Sequence, residues 1–308
     1  MGKAKKSITS YQRPWIIGFI SPALVLTFIF TTLPALTLLS YSFFEWKSFK
    51  RIGWAGFDNF TKLVRFPFRD QFVGAFQNNI EVFLSLFILQ TALGLFFALG
   101  VYRLKRGRRF FQAVIFLPVI LSLIIVAFMW KLFLDPLFGP VNMFLTQHGL
   151  TSLAKPWLGD PHLAMPVLIL IGLWRAVGFP AIVFLAGMNG INEELIEAAR
   201  IDGASEVQIF KKIMFPLLAP SFTIIAILTF IGAFEWFELP YVMGGVTGQP
   251  GGHVTTLVLL FYRLAFGTID AGTTDVGLSS AVGVILFIFV GIGAAVGSVY
   301  LRRREVQQ

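Results

Sequence analysis

The 308-residue sequence contains no cysteine, only three histidines and few charged residues. Without cysteine, the chain cannot form a disulfide bond, a thiolate nucleophile or an iron–sulfur cluster. The histidines, His148, His162 and His253, fall in predicted loops and lack the spacing of metal ligands, so we interpret them as surface residues. Charged residues make up 13% of the chain, whereas soluble domains contain about 25%. This shortage of charge argues against a soluble protein.

Catalytic motifs are also missing. The sequence has no GxxxxGK[ST] phosphate loop, no GxSxG nucleophile elbow and no HExxH metal-binding helix. Without the phosphate loop, the chain cannot hydrolyse ATP in the manner of P-loop ATPases. We therefore predict a protein that is not an enzyme and carries no cofactor or metal of its own.

Hydrophobic residues dominate the composition. They account for 56% of the chain, phenylalanine occurs 35 times, and the mean hydropathy is +0.77. A membrane-spanning helix needs about 20 predominantly apolar residues. We predict an all-α polytopic membrane protein whose single domain, residues 1–308, has six transmembrane helices. The expected spans are residues 16–41, 80–102, 110–134, 163–188, 219–243 and 276–301. The first apolar stretch is too long for a cleaved signal peptide, so we expect it to remain as a span.

Basic residues indicate the orientation of the chain. The short 103–109 loop carries Arg103, Lys105, Arg106, Arg108 and Arg109, and basic residues near membrane ends stay on the cytoplasmic side. We therefore expect both termini to be cytoplasmic. This rule also explains most of the net charge of +9, so no nucleic-acid partner is indicated. The basic 45–79 loop, on the opposite side, is an exception.

The loop at residues 189–218 has strong helix signals. Glu193 and Glu194 begin a helical run, where acids suit the positive end of the helix dipole. Gly203 is expected to end that helix, because glycine tolerates the left-handed conformation found just past helix ends. Ser205 and Gln208 then form the pattern of a capping box for a second short helix.

The side chains of this loop suggest two alternatives. Leu195, Ala198, Ala199 and Asp202 recur at spacings of three and four on the first helix, where the small alanines would let a partner surface approach. On the second helix, an apolar stripe is predicted at Val207, Phe210 and Ile213. The alternative is an amphipathic helix that lies on lipid. The acids of the first helix suit an anionic bilayer poorly, which favours the partner surface.

Residues 197–216, EAARIDGASEVQIFKKIMFP, resemble the EAA loop of ABC-importer permeases. In that family the loop has Glu-Ala-Ala, then Gly, Ile and Leu-Pro at fixed spacing; Phe215 stands here in place of the usual Leu. The loop is where such a permease contacts its ATPase, so the resemblance implies that coupling depends on a defined set of residues. These are Glu197, Ala198, Ala199, Asp202, Gly203, Ile213 and Pro216.

The resemblance covers essentially residues 15–300. The phrases LPALTLLSYSFFEW, GFDNFTKL, FFQAVIFLPVI, DPLFGPVN and GLWRAVGFPAIVFLAGMNGINEELIEAARIDGAS look like carbohydrate permeases of the maltose and glycerol-phosphate importer type. This implies the type I ABC-importer permease fold, in the cytoplasmic membrane of a bacterium or archaeon. It also implies four partners: a second permease, an ABC ATPase dimer that binds ATP and magnesium, an external solute-binding protein, and a di- or oligosaccharide or related glycoside.

Charged residues inside the expected spans are the other candidates for function. Arg175, Glu235 and Glu238 are costly in hydrocarbon, so each should face a partner, a cavity or the interior of the bundle. Arg175 and Glu235 are expected at similar depths, which would allow an ion pair. Together with the family resemblance, these charges give the expected substrate pathway. It consists of Ser122, Trp174, Arg175, Gly178, Ile231, Glu235, Trp236 and Glu238.

Two patterns of small residues permit close helix packing, Gly94-x-x-x-Ala98 and Gly293-x-x-x-Gly297.

Two other functions remain open from the sequence. One is an ABC permease for another small solute, such as a glycerol phosphodiester or a polyamine. Glu235 stands where the maltose-type permeases have a neutral polar residue, which argues against maltose itself. The other is a stand-alone secondary transporter, which would need a coupling-ion site and no ATPase contact. Residues 197–216 argue against that class.

Overall fold

The computed structural model describes residues 12–104, 106–267 and 274–302. Several basic residues relevant to orientation lie outside this part of the chain. They are Lys105 of the 103–109 loop and, near the two termini, Lys3, Lys5, Lys6, Arg303 and Arg304. Within it, four helices are long and apolar enough to cross a membrane, and two bent helix pairs bring the count to six if each pair is one span. The predicted all-α fold with six spans is therefore confirmed, with two of the six spans formed by bent helix pairs.

The first span is a continuous helical rod with a π turn near its middle. It consists of α1 (Gln12–Thr27), the π turn Phe28–Thr32 and α2 (Leu33–Tyr41). No residue of its apolar window is buried within the chain, and its second half, α2, packs on the last span. This helix therefore exposes its apolar surface to lipid or to another subunit.

A small structured unit follows the first span. It contains an antiparallel hairpin of β1 (Phe44–Lys47) and β2 (Lys50–Trp54), followed by α3 (Asp58–Leu63). The buried amide of Asn59 donates hydrogen bonds to the carbonyls of Ser42 and Phe44, both at 2.9 Å. These bonds tie the unit to the end of α2.

The second span is the longest helix. It is α4 (Phe68–Arg103), whose 36 residues are about 54 Å long at 1.5 Å per residue. The expected span at 80–102 is the apolar part of this helix, which starts earlier because its polar first turns extend beyond the hydrocarbon. One face of α4 is buried from Ala75 to Val101 at intervals of three and four residues.

The third, fourth and fifth spans are interrupted, whereas the sequence predicts that each is one continuous helix. The third is α5 (Arg108–Ile120) and α6 (Leu123–Phe133), bent by 89°, with α7 (Pro140–Gln147) and a 3₁₀ turn (Thr151–Leu153) after it. The fourth is α8 (Ala164–Ala176) and α9 (Gly178–Asn189), bent by 41°. Pro118 in the last turn of α5 lacks the N–H of a regular helix, which favours the first break.

The segment between the fourth and fifth spans forms short helices at one end of the bundle. They are α10 (Glu193–Ile201), α11 (Glu206–Ile209), the π turn Phe210–Met214 and α12 (Phe215–Leu217). The fifth span is α13 (Ala219–Phe234) and, after a break, α14 (Glu238–Gly244). A short apolar helix, α15 (Leu257–Phe266), precedes the last span, α16 (Val276–Arg302).

Glycines set two close helix contacts. A Cβ added at Gly94 on α4 would lie 2.6 Å from the Pro180 Cβ on α9, so only glycine allows this approach. A Cβ at Gly293 on α16 would lie 2.5 Å from the Phe230 ring on α13. Ala98 is buried, whereas Gly297 has open space beside it. In the α4 pattern, both small residues are therefore packed against other parts of the chain. In the α16 pattern, only Gly293 is.

Candidate translocation cavity and coupling segment

A cavity of about 420 Å³ lies among the second, third, fourth and fifth spans. Its wall combines apolar side chains with a few amide, hydroxyl and charged groups, as small-molecule sites do. The polar lining residues are Gln90, Arg175, Thr229, Glu235 and Glu238. Aromatic lining comes from Phe179 and Trp236.

The breaks in the three interrupted spans all lie at this cavity. Val119 and Leu123 line it on either side of the first break, and Ala176 and Phe179 on either side of the second. The third break, residues 235–237, contributes Glu235 and Trp236. Non-helical backbone is tolerated at membrane depth only where it is buried in protein or lines a cavity. Such discontinuous helices surround the binding sites of many transporters.

Arg175 binds the broken end of the third span. Its Nε lies 3.2 Å from the Leu121 carbonyl and its Nη2 lies 3.4 Å from the Val119 carbonyl. The last carbonyls of a helix have no intrahelical partner and carry partial negative charge, so a guanidinium there is stabilised. Arg175 and Glu235 therefore do not form the ion pair that their similar depths would allow. Among the described residues, the only salt bridge joins Arg200 and Glu206.

Glu235 occupies an unusual position for a carboxylate. It caps the C-terminal end of α13, where its backbone N–H donates to the Ile231 carbonyl at 3.0 Å, and its side chain is exposed to the cavity. The helix dipole disfavours negative charge at this end. Glu238, by contrast, lies in the first turn of α14, where the dipole favours an acid. Glu235 is thus the acid whose position stability alone does not explain.

The coupling segment, residues 193–216, has the two helices and the glycine corner expected from the sequence. The Asn192 side chain caps α10 by accepting the Glu194 backbone N–H at 3.1 Å. Gly203 has φ of +79°, in the left-handed region, and the capping box of Ser205 and Gln208 is present. The Arg200–Glu206 salt bridge, 3.1 Å long, joins the helices across the corner.

Buried side chains attach this segment to the bundle. Ile196, Ile209 and Met214 belong to the same core cluster as Val101 and Phe184 of the second and fourth spans. In the expected stripe of Val207, Phe210 and Ile213, Val207 is exposed and the other two side chains are half-buried. The π turn at 210–214 lengthens one helical turn, so the regular spacing of three does not continue through it.

The outer surface of the segment is exposed in this chain. Glu197, Ala198, Asp202, Gly203 and Pro216 are exposed. A shallow hollow of about 350 Å³ opens at the corner, where Asp202 and Gly203 form one side. The rest of its wall is Ala199, Ala204, Gln208, Ile209, Lys212 and Ile213.

The sequence profile of the binding-protein-dependent transport system inner membrane components matches residues 90–306. The chain belongs to this family. It is 32% identical over 274 residues to a protein of Bacillus subtilis described as a probable ABC transporter permease, covering 88% of this chain and 90% of the relative. It is 30% identical over 294 residues to the diacetylchitobiose uptake system permease of Streptomyces coelicolor, covering 92% and 80%.

A solved structure has the same architecture. It is that of a bacterial ABC transporter involved in the import of the acidic polysaccharide alginate, with a TM-score of 0.79 and 25% identity. The match covers 95% of this chain and 96% of the other. The protein is thus an ABC-importer permease of the carbohydrate type, a membrane subunit that is not itself catalytic, and the resemblance of the EAA loop is confirmed at the level of the family.

The cavity of this permease includes half of the expected pathway residues. Arg175, Glu235, Trp236 and Glu238 line it. Of the others, Ser122 is the exposed N-cap of α6, and Trp174 packs edge-on against Trp130 with ring centroids 5.9 Å apart.

Gly178 and Ile231 are also absent from the cavity wall. A Cβ at Gly178 would lie 2.4 Å from the Ile115 carbonyl, so this residue sits at a contact between α9 and α5. Ile231 is half-buried on α13 and contributes no lining atoms to the cavity.

Two polar residues of the cavity wall were missed by reasoning from the sequence. Gln90 Nε2 donates a short hydrogen bond to the Thr229 hydroxyl, and both side chains are buried in the cavity wall. A glutamine within an apolar span is expensive without a partner, so Gln90 could have been singled out in the same way as Arg175. Its partner could not, because Thr229 lies 139 residues away in the sequence.

Proposed function

We propose that this permease forms half of the translocation pathway for a di- or oligosaccharide or a related glycoside. A second permease would complete the pathway, an ABC ATPase dimer would drive it, and an external solute-binding protein would deliver the sugar. The single observation that carries the proposal is the cavity at the three helix breaks. Its volume of about 420 Å³ falls within the usual range of about 300–1,000 Å³ for small-molecule sites.

The chemistry of the cavity suits a sugar. Trp236 and Phe179 offer aromatic surfaces, and the amide of Gln90 and the carboxylate of Glu235 offer hydrogen-bond acceptors to hydroxyl groups. Sugar permeases among the relatives, such as the diacetylchitobiose permease, support the same class. The guanidinium of Arg175 is already bound to carbonyls, and Glu235 would repel a phosphate, so a phosphodiester fits this cavity less well.

The pathway is tested at Glu235. In the importer reconstituted with its binding protein, Glu235→Gln should lower solute-stimulated uptake at least tenfold while the complex assembles normally, because the amide keeps the shape but loses the charge. Uptake should be compared for labelled neutral oligosaccharides, a glycerol phosphodiester and a polyamine. Unchanged uptake in the variant removes Glu235 from the mechanism. If the importer takes up only the polyamine, the sugar proposal is wrong and the solute is a polyamine.

We further propose that residues 193–216 transmit the ATPase cycle to the spans. The exposed face of this segment is available to a partner, while Ile196, Ile209 and Met214 connect it to the second and fourth spans. A movement of the segment would therefore be transmitted to the second and fourth spans, which line the cavity. With this segment on the ATPase side, the 103–109 loop and both termini would be cytoplasmic.

The coupling proposal is tested at Gly203. Gly203→Val should release the ATPase or abolish solute-stimulated ATP hydrolysis, because the corner needs positive φ. Glu197→Lys should weaken the same contact through charge reversal. Gly190→Val is the matched control, since Gly190 has ordinary φ and its added Cβ has only ordinary contacts. Co-purification of the ATPase with tagged permease separates the outcomes. Wild-type ATPase binding and stimulation in Gly203→Val contradict the proposal.

A further inference from the structure

The hairpin after the first span carries three cations that form no salt bridge with any acid of the described residues. Lys47 and Lys50 lie directly opposite each other across the two strands, and both are exposed. Like charges directly opposite on a sheet are destabilising. Arg51 lies over the Phe44 ring, 4.6 Å from its centroid. Among the described residues, no carboxylate forms a salt bridge with any of these cations, although Glu45 and Asp275 are close along the chain or the hairpin.

Large apolar side chains are exposed on the same hairpin as these cations. Phe49 at the turn, Ile52 and Trp54 are 65%, 57% and 70% exposed. We call the six residues Lys47, Phe49, Lys50, Arg51, Ile52 and Trp54 the hairpin patch. Such a mixture of exposed aromatic, aliphatic and basic side chains is poorly suited to water and typical of surfaces that lie at a membrane interface.

Contacts with the last span place the hairpin patch at the level of the membrane surface. Ser48 pairs with Asp275, and the Thr274 hydroxyl lies 3.1 Å from the Ser48 hydroxyl. The Phe44 carbonyl lies 2.5 Å from the position of a Cβ at Gly277. The hairpin therefore runs beside the first turn of α16. That helix of 27 residues is about 40 Å long, so its ends reach the headgroup regions on either side of a hydrocarbon core of about 30 Å.

We propose that the hairpin patch binds the headgroups of anionic phospholipids at the membrane surface opposite the coupling segment. Two observations favour lipid over an acidic protein. The hairpin continues directly from the first span, whose apolar window has no residue buried within this chain, so an uncovered apolar surface of the kind that suits lipid leads into it. The exposed aromatic and aliphatic side chains lie on the same hairpin as the cations and would enter the interface while the cations contact phosphate. This also gives a physical role to the basic loop that departs from the orientation rule.

The experiment measures which lipid headgroup is enriched beside the hairpin. Because the chain has no cysteine, Ile52→Cys introduces a unique site on this chain for a fluorescent label. The assembled importer would be placed in nanodiscs of phosphatidylcholine and phosphatidylglycerol. Either lipid, in separate samples at equal fraction, carries a nitroxide quencher on its headgroup. We expect stronger quenching from labelled phosphatidylglycerol, and less of this preference at high salt.

Charge variants complete the test. Lys50→Gln should lower the preference for phosphatidylglycerol about fivefold, the usual effect of one cation near an anionic bilayer. Lys50→Arg, which keeps the charge at the same position, should retain the preference. Lys155→Gln, at an exposed cation in the loop after the third span, is the matched control and should have no effect. Equal quenching by both lipids, unchanged in Lys50→Gln, would overturn the proposal. Absence of quenching by either lipid would also overturn it, because another protein would then cover the patch.

Discussion

Gly178 gives a sharp test of the packing around the broken fourth span. In Gly178→Ala, the added Cβ would lie 2.4 Å from the Ile115 carbonyl, 3.0 Å from the Phe116 Cα and 3.0 Å from the Val119 Cγ2. Ordinary contacts begin at 3.4 Å, so α9 and α5 would have to separate by about 1 Å. Two of the three neighbours are backbone atoms, which cannot rotate away. The strain must therefore move a helix.

The expected cost of this change is about 1–3 kcal/mol, the usual range for overpacking a well-filled core. For chains of 150–250 residues, each kcal/mol lowers Tm by about 2–4 °C, so a loss of several degrees is expected. Transport should also fall, because α5 ends at the carbonyls that bind Arg175. Thermal unfolding of the purified permease complex, with solute uptake in parallel, measures both effects.

Gly232→Ala is the matched control for Gly178→Ala. Gly232 lines the cavity, and a Cβ there would have no neighbour within 4 Å. Its Tm should stay within about 1 °C of wild type, since nothing is displaced and alanine suits a helix better than glycine. Any loss of uptake in Gly232→Ala would report on the cavity itself. The reasoning is refuted if Gly178→Ala keeps wild-type Tm, or if both variants lose the same stability.

The remaining predictions concern charge, packing and topology. Arg175→Met should reduce uptake, and adding Glu235→Leu should not restore it. The coupling energy in the double-mutant cycle should be near zero. Substantial rescue of uptake in the double variant would instead support an ion pair between the two residues. Gly94→Val should lower the yield of folded protein more than Gly291→Val, which has open space around its Cβ; equal yields would contradict the contact with Pro180. Single cysteines at Ser7, Ser152 and Gln307 should react with an impermeant thiol reagent in intact cells only at position 152. Reaction at position 7 or 307 would reverse the orientation.

Local features of the coupling segment could be predicted from the sequence. The acidic first turn, the corner at Gly203 and the capping box at Ser205 depend on residues within three or four positions of one another. Such signals occupy a short stretch of sequence, because the side chains that form hydrogen bonds with the free N–H and C=O groups of a helix end are close neighbours in the chain. The π turn after Ile209 gave no such signal, so the sequence did not predict that Ile209 and Met214 would be buried in the same core cluster.

The pathway could be predicted only in part. Arg175 and Glu235 were found because a charge in an apolar span is costly and needs a reason. Depth along two helices suggested that they pair, but depth does not determine the direction of a side chain. The structure turns Arg175 toward the carbonyls of Val119 and Leu121, which are available because α5 ends there. Gly178 was expected in the pathway and instead allows two helices to touch.

The sequence by itself determined that this chain crosses a membrane several times, carries short helices at residues 193–216 and lacks a GxxxxGK[ST] phosphate loop. Hydropathy, caps and motifs are properties of contiguous residues, so they can be read without a fold. Only the tertiary structure decided that three helix breaks meet at one cavity, that Gln90 reaches Thr229 and that the basic hairpin lies beside the last span. These features join residues distant in the sequence, and they depend on how whole helices pack.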